Sequence, residues 1–478
     1  MNHGDEVSMD REKNKNESGF KSNLGFILAA AGSAVGVGNI WRFPYLVAKD
    51  GGGLFLLIYL LLVFIFGFVL LASDLTLGRK TKKHAVEVFG FLNKKWNFLG
   101  KLTVLIPILI ITYYPIVGGW FLKYSCDFLT GKGSQTISNN FFTNFLSSPY
   151  QSVFWTLIFF MITACITFFD VESGVERFSK IIMPGLLIII LGILFYSLGL
   201  KFTDKNNITR TALDGLKIYL LPDFSNLSLA RLLEITLDAM SQLFFSLSVS
   251  MGIMITYGVY VKKNINLSKA IRQIELFDTG VALISGAIII PAVYVFLGKD
   301  AMSQGPSLMF ISLPKIFNTM GLAGQIIAIL FFLMVAFAAL TSCISITETI
   351  IANFMRMFKW SRKTASVVSS IFIMFGLIIV CLGYNLFYFE LKLPNGNTAQ
   401  LLDLVDYISN SFLMPMISFL TCIFVGWVIK PDFVIKEMEG DNNNFRQKKL
   451  YAVIIRFVAP IVMLILFFES TGLLSYIF

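Results

Sequence analysis

Long apolar runs alternate with short polar segments along almost the whole chain. Ten runs lack Asp, Glu, Lys and Arg, and an eleventh is interrupted by Arg456; they cover residues 24–41, 54–73, 102–122, 152–169, 181–200, 239–261, 279–297, 316–347, 364–389, 407–429 and 451 onward. A bilayer-spanning helix needs about 20 apolar residues. The runs are continuous and do not alternate at period two as in an outer-membrane barrel. The pattern predicts an all-α polytopic membrane protein with about eleven transmembrane helices, numbered here in chain order.

Two of these runs are interrupted by small residues, helix 1 at residues 32–38 and helix 6 at residues 246–252. Broken helices at corresponding positions of two halves are typical of an inverted repeat with a binding site at the bilayer midplane. Close helix packing is the alternative explanation for glycines in helix 1 alone. We therefore predict a 5+5 inverted repeat with broken helices 1 and 6.

This repeat divides the chain into five segments. They are a cytoplasmic tail (1–22), a first repeat with helices 1 to 5 (23–200), a second repeat with helices 6 to 10 (201–430), a cytoplasmic loop (431–450) and a peripheral helix 11 (451–478). The tail is polar and mixed in charge, without the apolar core of a signal peptide.

The composition agrees with this class. Apolar residues make up 56% of the chain and charged residues 14%, against roughly 25% charged residues in soluble domains. A soluble enzyme, a disordered protein and a disulfide scaffold are therefore excluded. The five cysteines form no CxxC pair, and the two histidines, His3 and His84, belong to no catalytic or metal-binding pattern. We expect the protein not to be an enzyme.

The net charge of +10 comes from short basic clusters between the apolar runs. These clusters indicate topology and not a nucleic-acid partner. Basic loops follow helix 2 (79–101) and helix 6 (262–272), and the positive-inside rule places both in the cytoplasm. We predict a cytoplasmic amino terminus, an external carboxyl terminus, location in the bacterial plasma membrane, and a monomer or weak dimer in the lipid bilayer.

Helices 1, 6 and 8 contain longer motifs. They are GFILAAAGSAVGVGNIWRFPY at 25–45, SQLFFSLS at 241–248 and AALTS at 338–342. This set closely resembles the neurotransmitter:sodium symporters, in particular bacterial amino-acid transporters of leucine-transporter type. The resemblance runs from about residue 20 to helix 10. It implies ten core helices, one peripheral helix, and sodium-coupled uptake of an amino acid by alternating access.

The resemblance also implies two sodium sites. Sodium site 2 would use Gly32, Val35, Ala338, Thr341 and Ser342. Sodium site 1 would use Ala34, Asn39, Ser246 and Asp278, completed by the carboxylate of the substrate. Carbonyl and hydroxyl oxygens suit such a hard cation. Taken alone, Thr341 and Ser342 could equally bond back to the preceding helical turn.

The same resemblance implies a substrate pocket. It would be lined by Ala34, Gly36, Gly38, Ile110, Tyr114, Phe245, Ser246, Ser248, Met251, Ser342 and Ile346. Monoamine carriers of the family have an Asp where this chain has Gly36, so the ligand is expected to bring its own carboxylate. The apolar wall with a soft Met suits a large aliphatic or aromatic side chain. The aliphatic members, taken singly, could equally be core residues.

No chloride is expected, although animal members of the family bind it. Asp278 stands where those members have a sodium-ligating Asn, and Ala282 where they have a chloride-binding Ser. By the resemblance, Asp278 belongs to the same site as Tyr59, Gln242 and Ser246. The alternative role of Asp278 is to cap the start of helix 7. The fixed carboxylate would replace the mobile anion.

Further charged residues match gate positions. Arg42 and Asp406 match the family's extracellular pair, whereas a static buried pair is the alternative. At the cytoplasmic gate the family's Arg and acid correspond to Glu17 and Arg356, with both signs reversed. Either the pair persists with swapped charges, which we favour, or Lys15 or Lys21 serves instead. Gly174 and Pro184 resemble a Gly-x9-Pro feature associated with unwinding of helix 5.

The sequence therefore predicts a sodium-coupled, chloride-independent symporter that imports a hydrophobic or aromatic L-amino acid, with two sodium ions. A proton-coupled or exchange carrier on the same fold is one alternative. A sensor that binds an amino acid without transporting it is another.

Overall fold

The computed structural model describes residues 19–138, 140–204, 207–225, 227–303, 308–440 and 445–473. Glu17 and Lys15, two of the residues predicted at the cytoplasmic gate, lie outside these ranges. The fold is that of an all-α membrane protein. Within the described residues, nine unbroken helices are long and apolar enough to span a bilayer, and the bent pair that forms helix 1 is a tenth.

Two halves form helix 1, namely 1a (Asn23–Ala34) and 1b (Gly38–Lys49), and two halves form helix 6, namely 6a (Leu229–Ser246) and 6b (Ile253–Tyr260). With helix 6 the count reaches the eleven that the apolar runs predict. The other helices are helix 2 (Gly53–Thr81), 3 (Lys94–Leu129), 4 (Pro149–Phe168), 5 (Glu172–Leu198), 7 (Leu267–Leu297), 8 (Gly321–Phe358), 9 (Arg362–Tyr384), 10 (Leu401–Val428) and 11 (Lys448–Ser470).

Short elements lie between the spans. Helical ones are Ala85–Leu92, Gly133–Ile137, Phe141–Ser147, Ala212–Leu220, Lys299–Ser303, Leu308–Ser312, Leu313–Thr319 and Asp432–Glu439. Two antiparallel hairpins pair Lys201–Thr203 with Thr209–Thr211 and Leu391–Lys392 with Thr398–Ala399. The segment 431–450, expected to be a loop, thus contains the helix Asp432–Glu439.

Small residues let the central helices pack backbone to backbone. A Cβ atom at Gly78 of helix 2 would lie 1.9 Å from the carbonyl oxygen of Ile255, and one at Gly258 of helix 6b would lie 2.3 Å from that of Leu75. Only glycine permits such an approach, as is common at membrane helix interfaces. Helix 1a packs on helices 5, 7 and 8. The broken helices are therefore enclosed by the rest of the bundle.

Candidate functional site

The two helix breaks have different backbone geometries. Helix 1a and helix 1b meet at an angle of 55° across residues 35–37. Between helices 6a and 6b, Ser248, Ser250 and Gly252 adopt the left-handed conformation, with φ of 52°, 60° and 74°. Breaks of this kind release backbone N–H and C=O groups from the helical ladder. These groups are then free to bind a ligand inside the membrane.

A cavity lies between the two breaks. It is lined by Ser33, Ala34, Gly36, Gly38, Asn39, Ile110, Tyr114, Phe245, Ser246, Ser248, Met251, Ser342 and Ile346. The eleven residues predicted for the substrate pocket are all in this lining, and none of the lining residues is charged. The volume of about 30 Å³ is far below the roughly 300–1,000 Å³ of ligand pockets. Side chains must therefore move to admit a ligand larger than a few atoms.

Two glycines of the helix 1 break leave room for aromatic side chains. A Cβ atom at Gly36 would lie 2.6 Å from the hydroxyl oxygen of Tyr114, and one at Gly38 would lie 2.8 Å from the ring of Phe245. The Tyr114 hydroxyl in turn accepts a hydrogen bond of 3.0 Å from the N–H of Val37. A larger residue at either glycine would displace the ring that borders the cavity.

The residues predicted for sodium site 1 form a buried polar cluster. Asn39 Nδ2 donates to Asp278 Oδ1 at 2.7 Å, and Ser246 Oγ donates to the same oxygen at 2.8 Å. The second oxygen, Asp278 Oδ2, is buried and makes no hydrogen bond to any described residue, and the same holds for Gln242 Oε1 and the Tyr59 hydroxyl. Buried oxygens without a partner are costly. The donor set fits a cation that needs oxygen ligands.

The residues predicted for sodium site 2 meet where helix 1a touches helix 8. A Cβ atom at Gly32 would lie 3.2 Å from Cβ of Thr341. Thr341 Oγ1 donates to the Ala338 carbonyl at 3.0 Å, and Ser342 Oγ donates to the carbonyls of Ser33 and Ala338 at 3.3 Å each. Both hydroxyls thus bond back to their own helix here, and Ser342 also bridges to helix 1a. Their lone pairs remain available to a cation.

Arg42 and Asp406 lie on the far side of Phe245 from this cavity. They line a common space, here called the vestibule. Both border two larger cavities of about 230 and 340 Å³, and Phe245 separates these from the site. Arg42 Nη2 donates to Ser241 Oγ at 2.9 Å, whereas Asp406 Oδ1 accepts from Asn410 Nδ2 at 2.6 Å. Each predicted gate residue is therefore held by a neutral partner in this arrangement, with open space beside it.

On the face that carries the basic loops, an ion pair with a fully buried carboxylate, Glu348, joins helices 8 and 9. Arg362 Nη2 and Nη1 donate to the two carboxylate oxygens of Glu348 at 2.6 and 2.9 Å, and the Tyr260 hydroxyl donates to Oε1 at 2.9 Å. The predicted gate residue Arg356 lies in the last turn of helix 8. Lys21 Nζ lies 3.2 Å from Glu172 Oε1.

Sequence reasoning did not identify Glu348, Arg362 or Asp74. Asp74 is buried in helix 2, and its Oδ2 accepts the N–H of Ser250 at 3.0 Å, so it holds the break of helix 6. In the sequence, Asp74 and Glu348 directly follow the apolar runs 54–73 and 316–347. A charged residue that directly follows a long apolar run can still belong to the same membrane-spanning helix. That pattern is the sequence signal that could have identified Asp74 and Glu348.

Comparison with known proteins gives matches over nearly the whole chain. The sequence model described as the Sodium:neurotransmitter symporter family matches residues 17–147 and 144–476. An uncharacterized sodium-dependent transporter of Bacillus subtilis, YhdH, is 31% identical over 463 residues, which cover 96% of this chain and 98% of that protein. One of Haemophilus influenzae is 30% identical over 474 residues, covering 96% and 99%.

A solved structure has the same fold. The crystal structure of MhsT in complex with L-phenylalanine superposes with a TM-score of 0.82 at 34% sequence identity, covering 95% of this chain and 100% of that chain.

Proposed function

The chain belongs to the sodium:neurotransmitter symporter family and is a sodium-dependent membrane transporter, and from this we propose that it imports a hydrophobic or aromatic L-amino acid. MhsT, the related protein of known structure, binds L-phenylalanine. An amino acid of this type is the ligand whose chemistry agrees best with the cavity of this chain.

The uncharged lining of the cavity is the observation that carries this proposal. None of its residues is Asp, Glu, Lys or Arg, so a ligand with a net charge would remain uncompensated in a low-dielectric site. A zwitterionic amino acid has no net charge. Its carboxylate would lie beside Gly36 and the Tyr114 hydroxyl, and its side chain against Ile110, Met251 and Ile346.

Two sodium ions would be the driving substrates. The cluster around Asp278, with its buried Oδ2 atom lacking a partner, supports the first, which the carboxylate of the amino acid would complete. The hydroxyls of Thr341 and Ser342 beside Gly32 support the second. Sodium there would join helix 1a to helix 8.

Access would alternate between the two faces of the bundle. On the outer side Arg42 and Asp406 border the vestibule, and the ring of Phe245 borders both the vestibule and the cavity, so the approach of these side chains would close the site. On the inner side Arg362 of helix 9 pairs with the fully buried Glu348 of helix 8. The gate role of Glu17 with Arg356 remains a prediction. We further propose that the amino terminus and the basic loops face the bacterial cytoplasm.

The experiment is uptake of each of the twenty amino acids into proteoliposomes, with an inward sodium gradient and with potassium replacing sodium. We expect sodium-dependent accumulation of one or more large apolar amino acids. Equal uptake without sodium would favour a proton-coupled or exchange carrier. Sodium-dependent binding without accumulation would favour a sensor.

A further inference from the structure

The second turn of helix 5 carries a carboxylate, that of Glu176, which contacts the two residues before helix 1a. Glu176 is 1% exposed. One carboxylate oxygen accepts the backbone N–H of Lys21 at 2.6 Å, and the other accepts the N–H and the hydroxyl of Ser22 at 3.3 and 2.8 Å. Lys180, one turn further along helix 5, donates to Glu176 Oε1 at 2.6 Å.

These contacts cap the start of helix 1a from another helix. Ser22 is its N-cap residue, and the Ser22 side chain accepts the N–H of Gly25 at 3.0 Å. Free N–H groups and the positive end of the helix dipole both favour a negative charge at this position. Hydrogen bonds to a charged acceptor are roughly twice as strong as neutral ones. Glu176 therefore fastens helix 1a to helix 5.

The sequence of helix 1a is adapted to this contact. A Cβ atom at Gly25 would lie 2.1 Å from Glu176 Oε1 and 2.3 Å from its Cδ atom. Every residue larger than glycine would push the carboxylate and helix 1a apart. On its other side, the segment before helix 1a is attached to helix 6b and the residues that follow it. The N–H of Phe20 donates to the Tyr260 carbonyl at 3.3 Å, Lys262 Nζ donates to the Lys21 carbonyl at 3.0 Å, and the buried Phe20 ring packs against Tyr257 and Tyr260.

Helix 1a connects this anchor to the site. Its far end contains Gly32 and Ala34, and the break at residues 35–37 separates it from helix 1b. A rigid segment with a break at one end and a charge-assisted attachment at the other must release that attachment before it can swing. The residues of the two proposed sodium sites on helix 1a would move with it.

We propose that Glu176 is a positioning residue that latches helix 1a in the closed arrangement and thereby sets how readily the site opens toward the basic face. The link between this contact and transport rests on the proposed function. The attachment of helix 1a by Glu176 does not depend on that function. Its loss would raise the population of the opened state and lower the apparent affinity for sodium, since sodium would bind the closed arrangement.

The test is hydrogen–deuterium exchange of the purified full-length protein, followed by mass spectrometry, for wild type and Glu176→Gln. Gln keeps the size of the side chain but removes the charge. We expect residues 22–28 to exchange about tenfold faster, the factor for one lost charge-assisted hydrogen bond, while helix 9 exchanges as in wild type. Equal acceleration of both helices would make Glu176 a general structural residue and overturn the proposal, as would unchanged exchange at residues 22–28.

Glu172→Gln is the matched control. Glu172 also pairs with Lys21, but through the side chain and at 44% exposure, so its loss should leave the exchange of helix 1a unchanged. Should Glu176→Gln fail to fold, Gly25→Ala tests the same contact from helix 1a, and wild-type exchange in that variant would overturn the latch.

Transport provides the second readout. In proteoliposomes Glu176→Gln should raise the sodium concentration for half-maximal uptake several-fold, and Glu176→Asp, which keeps the charge, should restore part of it. The hydrogen–deuterium exchange measurement needs no amino acid. An absence of sodium-driven uptake in wild type would therefore disprove the proposed function, and hydrogen–deuterium exchange alone would then test the role of Glu176. Faster exchange with an unchanged sodium requirement would overturn the link between the latch and transport.

Discussion

Gly36 is the residue at which a substitution tests most directly where the carboxylate of the ligand binds. A Cβ atom there would already lie 2.6 Å from the Tyr114 hydroxyl and 3.0 Å from Ser342 Oγ. In Gly36→Asp, the added carboxylate would also take the place proposed for the carboxylate of the ligand and repel it. We expect binding of the transported amino acid to be lost, as measured by equilibrium binding of the labelled compound. Gly192→Ala, where a Cβ atom would meet nothing within 4 Å, should bind normally. Normal binding by Gly36→Asp would disprove the proposed orientation of the ligand.

Thr341 tests the second proposed sodium site at the level of one oxygen. Thr341→Val keeps the shape of the side chain and removes the hydroxyl beside Gly32 and Ala338. We expect the fold to be retained and the sodium affinity to fall by roughly tenfold or more, since an interaction with a charged group is lost. The measurement is the sodium concentration that half-maximally raises the melting temperature. Thr163→Val removes a hydroxyl that bonds back within helix 4 in the same way and should leave that concentration unchanged, whereas an equal effect of both variants would argue against the site.

At the residue scale, the residues assigned to a substrate pocket by resemblance to a known family border one cavity between the two breaks, and their role there stays a prediction. The buried charges were not predicted. Asp74 and Glu348 were not predicted as buried residues because a hydropathy profile shows that a charge is present but does not show which residue pairs with it. One is satisfied by a backbone N–H that the break of helix 6 releases, the other by Arg362 from the next helix. Such pairings are formed by tertiary structure and have no local signal.

At the element scale, the positions of the two breaks were predictable and their conformations were not. Clusters of small residues in helices 1 and 6 indicated where each helix is interrupted. The left-handed Ser248 and Ser250 contradict local preference, because this conformation costs about 1–2 kcal/mol for a residue other than glycine. At Ser250 the hydrogen bond to Asp74 stabilises it. Local sequence cannot reveal a conformation that a distant helix holds in place.

Helices 1b and 6a are linked by a charged cluster at the end away from the basic loops. Lys49 Nζ lies 2.7 Å from Asp238 Oδ2, and Arg231 Nη2 lies 2.9 Å from Asp50 Oδ1. Asp50 itself follows helix 1b and is fully buried. Burial, followed by the nearby Asp238 carboxylate, raises the pKa of the Asp50 carboxyl from 3.8 to about 7. The folded protein therefore retains a proton here that the unfolded chain would lose near pH 4.

This shift predicts a pH dependence of stability with a definite sign. Between about pH 4 and pH 7 the folded state binds more protons than the unfolded state, so the contribution of Asp50 to stability falls as the pH rises and is constant above about pH 7. Measured from pH 5 to pH 8, the melting temperature of wild type should fall relative to that of Asp50→Asn. The exposed Asp214, whose pKa is lowered by the hydroxyl of Thr211, serves as the control, and Asp214→Asn should follow wild type in this range. Parallel curves for wild type and Asp50→Asn would contradict the prediction.

At the scale of the whole molecule, the apolar runs predicted the number and order of the helices because each spans the same thickness of bilayer. They did not predict the elements between helices 5 and 6, where the hairpin Lys201–Thr203 with Thr209–Thr211 precedes the helix Ala212–Leu220. The Tyr219 hydroxyl of that helix donates to the Leu283 carbonyl of helix 7 at 2.9 Å. Contacts of this kind depend on the assembled bundle and leave no periodic signal in the sequence.

Charge balance across the whole transport cycle gives the last prediction, that transport needs no chloride. Two sodium ions and a zwitterion would leave a charge of about +2 in a dry site, where uncompensated charge is costly. Asp278 would supply one fixed negative charge beside Asn39 and Ser246, whereas Ala282, one turn further along helix 7, has no hydroxyl to hold an anion. Uptake by wild type should therefore be the same when gluconate replaces chloride. The double variant Asp278→Asn with Ala282→Ser removes the fixed charge and adds a hydroxyl, so it should transport only when chloride is present. A wild type that requires chloride would overturn this account of the charge balance, and a double variant that remains indifferent would show that Asp278 is not the compensating charge.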